Sequence, residues 1–194
     1  IETIEAGTID GAMAVFLKEK SVEMGGGFHV VGGKKLENAI KKVIRLAQQE
    51  PDFPEEIEIR FDTEVYKGIS FHTVTVPIPP QEEVSEIFGG ELQIALGTSD
   101  SSIYFGIAPK SISFLKGIID KNASSGGKAV RPMEMSVALT PILEFASSFD
   151  DNPVVNAMIR QLKTTAGKDH VVLSVTMEKE STSAHSIDSN WRKA

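Results

Sequence analysis

The residues of this chain that could do chemistry are its histidines, its grouped carboxylates, a glycine-rich stretch and a run of basic side chains. His29, His72, His170 and His185 lie far apart, without HExxH or comparable ligand spacing, so no metal site is expected. Cysteine is absent, which removes disulfides, thiolate ligands and Cys nucleophiles. A nucleophilic serine on a Gly-x-Ser-x-Gly elbow is also missing. A hydrolase would need a dispersed Ser/His/Asp site, with His72 or His29 as the base and an Asp or Ser brought near by folding.

The stretch Met24–Lys35 (MGGGFHVVGGKK) fails as a phosphate loop. Counting back from Gly33-Lys34, Phe28 stands where the first glycine belongs and Lys35 where the hydroxyl belongs. A hairpin turn, a strand and a helix start account for these glycines. The carboxylates Glu55-Glu56-Glu58, Glu82-Glu83-Glu86 and Asp150-Asp151 flank a strand, enter a helix first turn and precede a helix start. A calcium loop fails after Asp150 and Asn152, because Val154 offers no oxygen. No catalytic residue and no cofactor are expected. Lys34, Lys35, Lys41, Lys42 and Arg45 form the basic surface of an otherwise acidic chain, a docking face for an acidic partner or an anionic surface. Net charge −7 and the lack of interleaved aromatics argue against nucleic acid.

The elements that must position these residues are legible from periodicity. Ile57, Ile59 and Phe61 point one way while Glu58, Arg60 and Asp62 point the other. The same alternation runs through Leu92–Leu96, Ile103–Ile107, Met133–Leu139 and Val171–Met177. Helical spacing marks Lys34–Gln49, Lys110–Asn122, Pro141–Phe149 after a Thr140 cap, and Pro153 to Thr165 after Asn152. A short helix is expected over Gln81–Phe88, between Pro79-Pro80 and Gly89-Gly90. Thr98–Ser101 reads as a hairpin loop and Ser124–Gly127 as a helix-to-strand link. The fold class is α+β, a mainly antiparallel sheet with amphipathic helices packed on one face. One domain is expected over 1–180, followed by a tail over 181–194 anchored only by Ile187 and Trp191. Phe28–Phe61 laid on Tyr104–Val137 aligns strand, helix and strand as a weak internal repeat.

Gly27-Phe28-His29-Val30-Val31 before a Lys-led helix, then YKGISFH (66–72) and SSIYFGIAPKSISFLKGIIDK (101–121), resemble uncharacterised exported bacterial proteins of planctomycete type. Those are large secreted chains built from hairpin-plus-helix units, and the likeness covers most of residues 10–140. It implies an extracytoplasmic location and no particular activity. The start at Ile1 rather than Met fits a trimmed chain, cut either at an arbitrary boundary or by removal of a signal peptide, with any targeting segment out of view.

The expected function is a non-catalytic extracytoplasmic binding module. It would take a partner protein, a lipid or another apolar ligand between sheet and helices, with Ile94, Phe105 and Met135 as lining residues. The alternatives are a structural repeat segment of a larger secreted protein and the dispersed hydrolase. No apolar run approaches the roughly 20 residues of a membrane span.

Overall fold

A computed structural model describes residues 10–81, 84–124, 133–164 and 169–175. The expected tail over 181–194 lies outside them, as do residues 125–127 of the expected link, Glu82 and Glu83, His185, and the last residues of the strand expected to reach Met177. The described residues divide into two compact units. The first takes in 10–16 and 21–124; the second takes in 17–20, 133–164 and 169–175.

Most of the first unit is one antiparallel sheet of six strands. The strands are β1 (Gly11–Lys18), β2 (Ser21–His29), β3 (Glu58–Tyr66), β4 (Ile69–Pro77), β5 (Glu91–Thr98) and β6 (Ser102–Ile107), in the spatial order β1-β2-β6-β5-β4-β3. Helix α1 (Gly33–Ala47) follows β2, the single turn α2 (Ser85–Phe88) precedes β5, and α3 (Ser111–Ser124) follows β6. The alternation read from sequence is therefore the alternation of an α+β antiparallel sheet.

The sequence reading packs the helices on one face of the sheet; α1 and α3 instead cover opposite faces. Gly25, Gly106 and Ala95 are register partners across β2, β6 and β5, so their Cα–Cβ directions share a face. A Cβ on Gly106 would stand 2.9 Å from Leu115 of α3, which places α3 on that face. His72 pairs with Leu96, one residue on from Ala95, and so points the other way, towards α1. The physical reason is residue size. The alternate positions of the central strands are small rather than polar (Gly25, Gly27, Ala95, Gly97, Gly106), and a helix can lie close against them. On this side Ile69, Phe71, Ala95, Tyr104, Leu115 and Ile119 form the core, with Tyr66, Ile112, Phe114 and Ile118 against it. Ser111 starts α3 by donating its backbone N–H and its hydroxyl to Gln93 Oε1, both at 3.0 Å, which satisfies an otherwise orphaned helix N–H.

The second unit contains the two-stranded antiparallel sheet of β7 (Met133–Ala138) and β8 (His170–Val175), with α4 (Leu139–Ser147) and α5 (Pro153–Thr164). Asn152 caps α5: its Oδ1 accepts the Val154 N–H at 2.9 Å. Helix α4 begins before Thr140, whose N–H goes instead to Asp169 Oδ2 at 3.2 Å. The two aligned strand–helix–strand stretches end in different sheets, β3 beside β4 and β7 beside β8. No helix among the described residues is long and apolar enough to cross a membrane.

Candidate functional site

Helix α1 starts hard against the β5–β6 turn. Gly32 enters it with φ 73°, a left-handed conformation that glycine adopts without steric cost. The Gly33 N–H donates to Asp100 O at 2.9 Å, and a Cβ on Gly33 would lie 2.0 Å from Ser99 O. Glycine at 33 is thus what lets the helix approach, and the approach sets Glu37, Ile40, Lys41 and Ile44 on the sheet. Their i, i+3, i+4 and i+7 spacing is one helical stripe, with two charged residues among the apolar ones.

Glu37 is 4% exposed. Its oxygens accept from Lys41 Nζ at 2.7 Å, Lys34 Nζ at 2.9 Å and Thr98 Oγ1 at 2.7 Å. Burial alone would raise its pKa, but these hydrogen bonds prevail and hold it at about 2. Lys41 also reaches both carboxylate oxygens of Asp62, each at 2.8 Å. Burial works against its charge, while the bonds to Asp62 and Glu37 raise its pKa overall. The Lys41 ammonium and the Arg45 guanidinium stand 5.9 and 5.5 Å from the centre of the Phe61 ring.

His72 closes the cluster from β4. Its Nδ1 accepts the Asp62 backbone N–H at 3.0 Å, which assigns the remaining proton to Nε2. That nitrogen faces Thr98 Oγ1 at 3.3 Å, and Thr98 in turn donates to Glu37. Burial, helped by the charge of Lys41, lowers the His72 pKa, so the ring is neutral at pH 7. With the Asp62 N–H on His72 Nδ1 and Lys41 on Glu37 Oε1, the chain from His72 Nε2–H through Thr98 O–H to Glu37 leaves no polar atom of the three side chains without a partner. Both imidazole nitrogens are engaged, and His72 is not poised as a general base. His29 lies at the exposed end of β2 on the α3 face, so the two candidate bases are not brought together.

One atom each from Glu37, Asp62 and His72 lies within 4.8 Å of the others, a spacing that suits a cation. Lys41 supplies a positive charge there, bonded to both carboxylates, and the Asp62 N–H occupies His72 Nδ1.

Beside this polar cluster is a cavity of about 110 Å³ between α1 and the sheet. Its apolar lining is Ile40, Ile44, Ile59, Phe61, Val74, Ile94 and Leu96, with Glu37, Lys41, His72 and Thr73 at the polar part of the wall. Of the three lining residues expected from sequence, Ile94 faces this cavity. Phe105 is on the same face but stacks on Phe28, ring centres 6.1 Å apart and planes 14° apart. Met135 is on β7 of the second unit and 47% exposed. The expected basic surface is divided. Lys35, Lys42 and Arg45 are exposed, whereas Lys34 and Lys41 pair with Glu37.

Sequence reasoning missed Glu37, Asp62 and Thr98. Glu37 and Lys41 at i, i+4 on an apolar stripe were a signal that the pair is internal. Asp62 carried none, because strict alternation assigns it away from Phe61. In the structure β3 bulges between Arg60 and Glu64, Asp62 takes φ 53°, and both Phe61 and Asp62 come to His72. No protein-family model matches the chain, nor does any curated protein or solved structure.

Proposed function

We propose that the chain is a non-catalytic binding module whose first unit takes a small apolar ligand between α1 and the sheet. The observation that carries this reading is the 110 Å³ cavity walled by seven apolar side chains beside a polar cluster whose charges are paired. Apolar cavities of this order stay dry and admit a benzene-sized ring, because water finds no partners in them. The ligand is therefore a small ring or the end of an alkyl chain. The neutral, doubly bonded His72 supports binding over hydrolysis. An extracytoplasmic setting follows from the resemblance of 10–140 to exported proteins, and not from the site.

The test is thermal unfolding of the full chain in buffer saturated with benzene or indole, beside the variant Ile94→Phe. A ligand that enters only the folded cavity raises Tm by mass action. Tm of the wild type should rise, and Ile94→Phe, which fills the space, should abolish the rise. An unchanged Tm in both proteins would overturn the proposal.

A further inference from the structure

The Lys41 ammonium and the two ring nitrogens of His72 aim at the same pair of oxygens. Lys41 Nζ holds Glu37 Oε1 at 2.7 Å and Asp62 Oδ1 at 2.8 Å. His72 Nε2 stands 3.6 Å from that Oε1, and His72 Nδ1 stands 3.8 Å from that Oδ1. The other Glu37 oxygen is outside the contest, since Thr98 and Lys34 both donate to Oε2. While the ring is neutral, Nδ1 accepts the Asp62 N–H and the ammonium takes both carboxylates.

A proton on His72 alters the hydrogen bonds and the charge balance together. Nδ1 becomes a donor and can no longer accept the Asp62 N–H, so two donors face each other at 3.0 Å. The lost bond helps hold Asp62 at φ 53°, a left-handed conformation that is costly for a residue with a side chain. The charged groups facing His72 are Lys34, Glu37 and Lys41 of α1 and Asp62 of β3, two positive and two negative. Strand β5 adds only the neutral Thr98 hydroxyl, and β4 itself adds no other charge. An imidazolium leaves this set with one positive charge in excess. The cation that competes with it for Oε1 and Oδ1 is Lys41, and Lys41 has a way out: it also lines an open groove along α1 with Asn38, Lys42, Arg45 and Gln49.

We propose that His72 is an acid-operated latch: its protonation transfers Glu37 Oε1 and Asp62 Oδ1 from Lys41 to the imidazolium, and Lys41 turns out to solvent. The Lys41–Asp62 bonds tie α1 to β3, so the exchange undoes that tie and leaves the Thr98–Glu37 bond to hold the helix. Burial and the charge of Lys41 set the pKa of the ring below 6.5, so the latch is closed at pH 7 and opens in mild acid. Glu37, with its pKa at about 2, stays ionised throughout. Withdrawal of Lys41 makes protonation of His72 easier, so proton uptake and release of the lysine favour each other. The latch does not depend on what the cavity holds.

The test is an NMR titration of the full chain from about pH 8 to about pH 4, which brackets the range of a histidine. It follows the His72 ring nitrogens, the Asp62 amide, the relaxation of Lys41 Cε and the carboxyl carbons of Glu37 and Asp62. The first three should change together at one midpoint below 6.5. Lys41 Cε should turn from rigid to mobile on the ps–ns scale. The Asp62 amide should lose about tenfold in hydrogen-exchange protection, while both carboxyl shifts keep their ionised values at that midpoint. His72→Asn keeps an acceptor for the Asp62 N–H but does not titrate, so Lys41 should stay rigid in that variant across the range in which the wild type releases it. A wild-type Lys41 that stays rigid through the His72 midpoint, or moves only as a carboxyl group takes up its proton, would overturn the proposal. So would a ring that stays neutral until the protein unfolds, or a folded His72→Asn that still releases Lys41 in the same range. Should His72→Asn fail to fold, the coincidence of midpoints in the wild type decides.

Discussion

Under α3 the sheet offers Gly25, Gly106, Ala95 and Phe71, and the helix meets them with Leu115 and Ile119. Under α1 the sheet offers His72, Thr98 and Leu96, and the helix meets them with Glu37, Lys41 and Ile40. The first face is held by apolar burial, which is non-directional and scales with area. The second is held by hydrogen bonds that must all be made at once, since a buried polar atom left alone costs about 1–3 kcal/mol. Among the described residues no buried side-chain nitrogen or oxygen lacks a partner. A buried ion pair is weak evidence for net stability. Lys34 and Lys41 share α1 with Glu37, so what ties the helix to the sheet is the bonds that cross, from Thr98 to Glu37 and from Lys41 to Asp62. The seat they set leaves the gap beside Ile94, which tighter apolar packing would close.

The contrast can be broken at several points. The largest effect is expected from Phe71→Ala, which empties a fully buried position in the α3 core. It should cost about 3–5 kcal/mol in denaturant unfolding, and a loss below about 1 kcal/mol would refute the apolar account of that face. Next is Glu37. Its folded pKa of about 2 lies below the ordinary 4.5, so the stability it confers is present above pH 4.5 and is lost as pH falls towards 2. The difference is worth roughly 3 kcal/mol. Glu37→Gln should flatten the pH dependence of unfolding across that window; an unchanged acid limb would show that other carboxylates set it.

Thr98→Val removes both the donor to Glu37 and the acceptor for His72 Nε2–H. A loss of about 1–3 kcal/mol is expected, together with an upward shift of the Glu37 titration seen by carboxyl NMR. His72 sharpens the comparison without a mutation. Its pKa is lowered from 6.5, so any contribution it makes to stability is present above 6.5 and is lost as pH falls below it. Nitrogen NMR should show the Nε2–H tautomer at pH 7 and a midpoint below 6.5. The smallest effect is reserved for the rim of the α3 face, where Asp120 accepts from exposed Lys67 and from Tyr66. Asp120→Asn should leave Tm unchanged, since solvated pairs contribute little.

Much of the first unit was readable without coordinates. Alternation located β3, β5 and β6, helical spacing located α1 and α3, and the hairpin at Thr98–Ser101 was legible from its turn residues. Ile94, expected from sequence as a lining residue, faces the cavity between α1 and the sheet. The cluster beside it was not readable, because each member looked ordinary in its own segment. Glu37 and Lys41 resembled a surface i, i+4 pair, Thr98 the start of a turn, and Asp62 the outward side of a strand. Only the bulge at Arg60–Glu64, which breaks the two-residue period, carries Asp62 to His72.

What the sequence determined by itself is the local grammar: which residues form strands and helices, where chains turn, and which chemistry the missing cysteine and motifs exclude. These follow from forces acting within a few residues, such as side-chain periodicity, capping and glycine conformation. The tertiary structure alone decided which face each helix covers and which polar groups meet. An amphipathic helix needs an apolar surface but does not say which of two it will find, and this sheet offers both, one lined with glycine and alanine and the other with isoleucine and leucine. The meeting of Glu37, Lys41, Asp62, His72 and Thr98 joins residues up to 61 positions apart, and no short-range rule reaches that far.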